Sequence, residues 1–141
     1  MAYFEDMKIG DKRVFGDYTF TVENIISFAK KYDPQPFHLS EEGGKNSLFG
    51  GLCASGWHTG AACMRKIVDF NKAQYQAALA RGEKPLPGGP SPGFKNLKWL
   101  KPVYAGDTVT YSSEIVALRE SGTRPEWGIM FAKIIGVNQN G

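Results

Sequence analysis

The sequence predicts an α+β domain in which one long helix is followed by an antiparallel run of strands. Three observations carry that expectation. Small and apolar residues from Ala54 onward (Ala61, Ala62, Met64, Ile67, Val68, Tyr75, Ala78, Leu79) recur at helical spacing, as in a long helix whose first half is rich in small residues. Asp107–Leu118 then alternates, with Val109, Tyr111, Ser113, Ile115 and Ala117 on one face, and Glu126–Val137 brings a second run holding Trp127, Ile129, Phe131, Ile134 and Val137. Between helix and strands, Gly82–Gly93 is rich in Pro and Gly and can propagate neither. A chain of 141 residues, 42% hydrophobic and 22% charged, fits a single domain over 1–141 with a core of its own.

The remaining elements follow in order. Asp11–Thr19 places β-branched and aromatic residues around Gly16 and reads as a strand or hairpin arm. Thr21 suits an N-cap and Glu23 the first turn of a helix. Val22, Ile25, Ile26, Ala29 and Tyr32 keep helical spacing, so Val22–Tyr32 is a short amphipathic helix that must stop before Pro34. Asp33–Gly51 reads as a loop. Ser55 is placed to cap the long helix and Gly82 to end it; about 20 residues span ~30 Å, the length of a sheet. Phe94–Leu100 is a further candidate strand, and Glu120–Pro125 turns the last two strands into an antiparallel pair. Asn140-Gly141 is a strong hairpin-turn signal. It leads to the expectation of a final strand that these 141 residues lack.

Composition excludes several classes. A net charge of +3 with scattered lysines argues against a nucleic-acid surface. Neither an 18-residue apolar run nor a secretory pattern is present, so no membrane association is expected and a cytoplasmic location is. Cys53 and Cys63 have no metal-like neighbours in sequence and read as two buried free thiols.

The chemistry is concentrated in Tyr32-Asp33-Pro34-Gln35-Pro36-Phe37-His38. Two prolines stiffen this stretch, and turns around them can bring the Asp33 carboxylate and the His38 imidazole to one spot. Such a pair sharing a water is suited to acid/base work near neutral pH. The plainer alternative is a helix-terminating loop with a capping Asp and a solvated His. Downstream, Ser55-Gly56-Trp57-His58 opens the long helix. Gly56 there allows a substrate oxygen close to free backbone N–H groups at the positive end of the helix. Negative charge developing on a thioester oxygen is stabilised by such donors.

Three runs together, Phe28-Ala29-x-x-Tyr32-Asp33-Pro34-Gln35-Pro36-Phe37-His38, Phe49-Gly50-Gly51-Leu52-x-Ala54-Ser55-Gly56, and Trp99-Leu100-x-Pro102-Val103-x-x-Gly106-Asp107, resemble those of MaoC-like dehydratases, which include the (R)-specific enoyl-CoA hydratases. The resemblance implies the hotdog fold, an antiparallel sheet wrapped around a long central helix, and assembly as a homodimer or higher oligomer. It implies catalytic roles for Asp33 and His38, with the Gly56 N–H as oxyanion hole. Ser55, Trp57 and Phe37 flank these groups as candidate substrate-binding residues. The implied reaction is reversible syn hydration of a trans-2-enoyl thioester, an acyl-CoA being the expected substrate and partner, with no cofactor and no metal. Gln35 and Ser40 stand where the family often has other polar residues.

Other residues have plainer readings. His58 is expected to pack or hydrogen bond near the helix start, because a second imidazole is not required. Trp57 and Trp99 fit core or pocket wall, and Ser55 a cap rather than a nucleophile, since no G-x-S-x-G frame surrounds it. Lys95, Lys98, Lys101 and Arg65 are candidates for CoA phosphate contacts, each alone reading as a solvated charge. Asp107 after Gly106 reads as a turn residue opening a strand. The rival functions are a hotdog acyl-CoA thioesterase and a non-catalytic acyl-CoA-binding hotdog protein. The intact Asp33/His38 pair weighs against both.

Overall fold

The computed structural model describes residues 3–86 and 88–141. After a 3-10 turn at Phe4–Asp6, strand β1 (Lys12–Thr19) leads into helix α1 (Val22–Tyr32). Two short helices, α2 (Pro36–Leu39) and α3 (Glu41–Lys45), precede the long helix α4 (Gly56–Ala80). Strands β2 (Thr108–Glu120) and β3 (Gly128–Val137) complete a three-stranded antiparallel sheet of order β1-β2-β3.

Local chemistry accounts for the boundaries. The Thr21 hydroxyl accepts the Asn24 N–H at 3.1 Å and starts α1, while the Ser55 hydroxyl accepts the Trp57 N–H at 3.3 Å and starts α4. Gly82, at φ +77°, ends α4, and the following Glu83 N–H returns to the Ala78 carbonyl at 3.0 Å. Pro87, inside the expected Gly82–Gly93 loop, lies outside the described residues. In β1 the register slips between Val14 and Gly16, and Gly16 at φ +112° supplies the bend of this bulge. Asp107 is a turn residue as expected: its carboxylate accepts from the Tyr104 N–H at 3.0 Å and from Gln139 at 2.8 Å.

The inward face of β2 is the one the alternation predicts, with Val109, Tyr111, Ser113 and Ile115 buried. Val109 and Tyr111 pack with Phe20, Ile25, Leu52, Ala54 and Ala62 into one core that joins the sheet to α1 and the start of α4. The Tyr111 hydroxyl donates to the Thr59 carbonyl at 2.9 Å and fixes α4 against the sheet. Both cysteines are free; Cys53 is buried, and burial pushes its thiol pKa up.

Two expectations are corrected. Asp33–Gly51 is not a plain loop. Pro36 supplies the first position of α2, where its missing N–H costs nothing, and the Ser40 hydroxyl caps α3 through the Gly43 N–H at 2.9 Å. Phe94–Leu100 is not a strand. No ladder partner lies beside it among the described residues, and Asn96 at φ +57° breaks the extended run. Strand-like pairing comes later, where the Ala54 N–H meets the Val103 carbonyl at 2.8 Å and the Ala105 N–H meets the Leu52 carbonyl at 3.1 Å. Trp99 instead lays its indole on α4 at Gly56 and Gly60, where a Cβ at Gly56 would collide with the ring.

His58 is part of this packing. Its ring is stacked on Phe28 (centroids 4.8 Å, 7° between planes), stands edge-on to Tyr18 and Phe20, and places Nε2 3.1 Å from the Tyr18 hydroxyl. Burial drives its pKa from 6.5 down to about 4. Above pH 6.5 the imidazole is neutral whether the chain is folded or not. Between pH 6.5 and about 4 the unfolded chain binds a proton that the folded chain refuses, so stability falls as the pH falls through that window. The expected slope is at most about 1.4 kcal/mol per pH unit. Urea unfolding at stepped pH should show a shallower dependence in His58→Gln; an unchanged slope in that variant would refute the assignment.

Candidate active site

Asp33 is the residue at which α1 ends. Its N–H closes the helix on the Ala29 carbonyl at 2.9 Å, and Pro34 then forces the chain out of helical geometry. Gln35 turns back and donates from Nε2 to Asp33 Oδ1 at 2.6 Å. The turn of helix α2 that Pro36 opens carries His38 inward, where it is buried. His38 Nδ1 lies 2.6 Å from the Cys53 carbonyl oxygen. A carbonyl only accepts, so this bond places a proton on Nδ1. In the neutral ring, Nε2 is then left as a lone pair, and it stands 3.4 Å from Asp33 Oδ2.

The opening of α4 forms the other side. Ser55 is 1% exposed; its hydroxyl caps Trp57, and its carbonyl accepts from His58 at 2.9 Å and Thr59 at 3.1 Å. The Gly56 N–H, at the first helical position, has no bonding partner among the described residues. Ser55 also faces Asp33. Burial pulls the Asp33 pKa upward, but the hydrogen-bonding side chains of Ser55 and Gln35 outweigh it, helped by the positive charge of His38 whenever that ring is protonated, and the net direction is down. Asp33 is therefore held as a carboxylate, with two neighbours that stabilise its ionised form.

The structure thus brings Asp33, His38 and Ser55 together, with Gly56 next in the chain. Phe37 sits behind them, its ring edge-on to His38 (4.6 Å) and Phe49 (5.1 Å), and its carbonyl accepts the Cys53 N–H at 3.2 Å. Trp57 is apart from the pair: it is 59% exposed and edge-on to Trp99, itself 46% exposed, at 6.0 Å. Arg65 is engaged with Asp69 at 3.0 Å, and Lys95, Lys98 and Lys101 are exposed. Among the described residues no grouping of three His, Cys, Asp or Glu side chains could hold a metal ion. No helix is long and apolar enough to cross a membrane among the same residues.

An apolar slot walled by the central helix is the natural expectation for such a site, and the structure differs. The open groove of about 420 Å³ that is present is lined mainly by α1, with Asn24, Phe28 and Tyr32, while β1 contributes Tyr18 and α4 contributes His58. The apolar residues of α4 at Met64 and Val68 are exposed instead. Sequence reasoning also missed Gln35 and the Cys53 carbonyl. Gln35 is legible in retrospect, two residues from Asp33 across a proline; a backbone carbonyl leaves no mark in side-chain patterns.

An antiparallel sheet packed on one long central helix is the architecture of a hotdog domain. The MaoC-like domain family model matches residues 5–127, and the chain belongs to that family. The MaoC-like dehydratase from Rhodospirillum rubrum superposes with a TM-score of 0.81 at 34% identity, covering 100% of this chain and 88% of that one. The uncharacterized protein YdeM of Bacillus subtilis is 26% identical over 83% of this chain and 74% of its own length. The C-terminally truncated HadBC complex, a 3R-hydroxyacyl-ACP dehydratase from Mycobacterium tuberculosis, shares the fold at a TM-score of 0.69 and 19% identity, over 96% of this chain and 90% of that one.

The Gln35 and Ser55 contacts yield a direct test. Carboxyl NMR titration should place Asp33 below the ordinary carboxylate value, and Gln35→Ala and Ser55→Ala should each move it upward. A titration that neither variant shifts would remove both side chains from the site's electrostatics.

Proposed function

We propose that the protein is an acyl-thioester hydro-lyase that adds water reversibly, with syn geometry, to a trans-2-enoyl-CoA or related enoyl thioester. The observation that carries this reading is the 3.4 Å approach of His38 Nε2 and Asp33 Oδ2. Two hydrogen-bond acceptors turned toward one another suit a water that donates a proton to each and keeps a lone pair for the substrate. As the water oxygen bonds to the β-carbon, the pair takes one of its protons. It returns one proton to the α-carbon from the same face, so the C=C bond is consumed and the pair ends as it began. The enolate that forms on the thioester oxygen between these events is met by the Gly56 N–H, a donor fixed in place before reaction.

Asp33→Asn and His38→Ala should each lower kcat by at least ~10²-fold, the low end for acid/base groups, with an unchanged far-UV circular dichroism spectrum. Crotonyl-CoA is the assay substrate, with enoyl absorbance and free thiol followed together. Loss of absorbance without thiol identifies the hydratase. Thiol release identifies the rival thioesterase, and neither signal the rival non-catalytic binder. Retention of most activity in either variant sinks the assignment of the pair.

The same reading includes a homodimer or higher homo-oligomer. The outer edge of β3 pairs with no strand among the described residues, and Met130, Phe131, Ile134 and Ile135 of that strand are exposed, as is Val68 of α4. Free edges and exposed apolar side chains of this kind favour association. Light scattering at micromolar concentration should report at least a dimer; a monomer contradicts this part.

A further inference from the structure

We infer that the Asp33/His38 pair also exchanges one α-hydrogen of a saturated acyl thioester with solvent, on one face only, an activity that needs neither a C=C bond nor a β-hydroxyl. This rests on the hydratase reading, because it takes the thioester oxygen to lie at the Gly56 N–H. The observation that carries it is that the resting pair has no proton to give. His38 Nδ1 directs its proton to the Cys53 carbonyl at 2.6 Å, so the neutral ring turns a lone pair on Nε2 toward Asp33. Asp33 Oδ1 accepts from Gln35 Nε2 at 2.6 Å, and Oδ2 stands 3.4 Å from that lone pair. The Gln35 amide and the Ser55 hydroxyl hydrogen bond to Asp33 but do not ionise near neutral pH. The pair must therefore take a proton before it can deliver one. In the dehydrating direction the α-hydrogen goes first and the β-oxygen second.

The exchange balances within the site. The Nε2 lone pair takes the α-hydrogen as a proton, the C–H electron pair becomes the C=C bond of an enolate, and the carbonyl π pair moves onto the thioester oxygen. The Gly56 N–H, which has no bonding partner among the described residues, donates to that oxygen. The Asp33 carboxylate faces the imidazolium so formed. Its side chain is 19% exposed, so water reaches the pair and replaces the captured proton with one from solvent. Return of that proton to the α-carbon restores the thioester. A 3-hydroxyacyl thioester goes on from the enolate by losing its β-oxygen, whereas a saturated one can only go back. Two groups 3.4 Å apart act from one side of a planar enolate, so capture and return share a face and configuration is retained. The chain's other imidazole, His58, is enclosed by Phe28, Tyr18 and Phe20 and is no base for the opposite face.

The test incubates butyryl-CoA with the full chain in D₂O and follows its mass. The ester should gain a single deuterium at the α-carbon, at least ~10²-fold faster than with His38→Ala, the low end for an acid/base group. The two enantiomers of 2-methylbutyryl-CoA supply a readout that needs no variant: one should exchange, and neither should lose its configuration. Crotonyl-CoA hydration is measured on the same sample. Exchange of both α-hydrogens of butyryl-CoA, epimerisation of either branched ester, or undiminished exchange in a His38→Ala variant with native far-UV circular dichroism overturns the inference. Hydration of crotonyl-CoA without deuterium in butyryl-CoA also overturns it and leaves the hydratase standing. One-faced exchange without hydration keeps the base pair and overturns the hydratase reading, and absence of both reactions overturns both.

Discussion

The candidate site depends on one short stitch between two segments far apart in the chain. His38 donates from Nδ1 to the Cys53 carbonyl, and the Cys53 N–H donates back to the Phe37 carbonyl. Those two bonds tie the turn after α1 to the strand-like approach of α4. They also settle the tautomer of the imidazole and the direction in which its other nitrogen faces. Without them the pair of prolines would stiffen the Asp33 segment but leave His38 free to rotate into solvent. Cys53 is held in turn: it bridges Tyr104, and its neighbours Leu52 and Ala54 bond to Ala105 and Val103. The imidazole is thus referred, through backbone alone, to the loop that enters β2.

Electrostatics then separates two histidines that composition cannot distinguish. His58 is enclosed by three aromatic rings with no carboxylate against it, and burial keeps it neutral far below neutrality. His38 is buried as well, but with a carboxylate at 3.4 Å and a carbonyl on its other nitrogen. One ring is a packing element with a polar corner; the other is held between a carbonyl and a carboxylate. The difference arises from the elements that carry them, the first turn of α4 packed on aromatic rings in one case and a proline-opened turn in the other.

Much of this was legible from residue order. The N-cap at Thr21, the cap at Ser55, the stop at Gly82 and the inward face of β2 each follow from a local rule acting on nearby residues. The resemblance of three runs pointed to the hotdog fold, and the whole-chain likeness to the Rhodospirillum rubrum dehydratase agrees. What sequence did not disclose is what depends on distant partners. Phe94–Leu100 has the composition of a strand, yet strand formation needs a neighbour to bond with, and none lies beside it here. The outward face of α4 depends on partners too: its apolar residues Met64 and Val68 are exposed in the single chain. The groove that does exist is assembled from side chains of β1, α1 and α4 that no single periodicity groups together.

Gly56 illustrates how one residue can answer to two masters. Its position at the head of α4 invites explanation by access of a substrate oxygen, but the Trp99 indole already occupies the space a Cβ would need. An alanine there would keep the backbone N–H and lose the bed on which the indole rests. The tryptophan would have to lift, carrying with it the approach to Val103 and the pairing of that segment with Leu52–Ala54. The backbone beneath His38 is anchored to this same pairing. A single methyl group at the helix head would thus act as a lever on the imidazole from the far side of the loop, moving Nε2 relative to Asp33 without touching either residue.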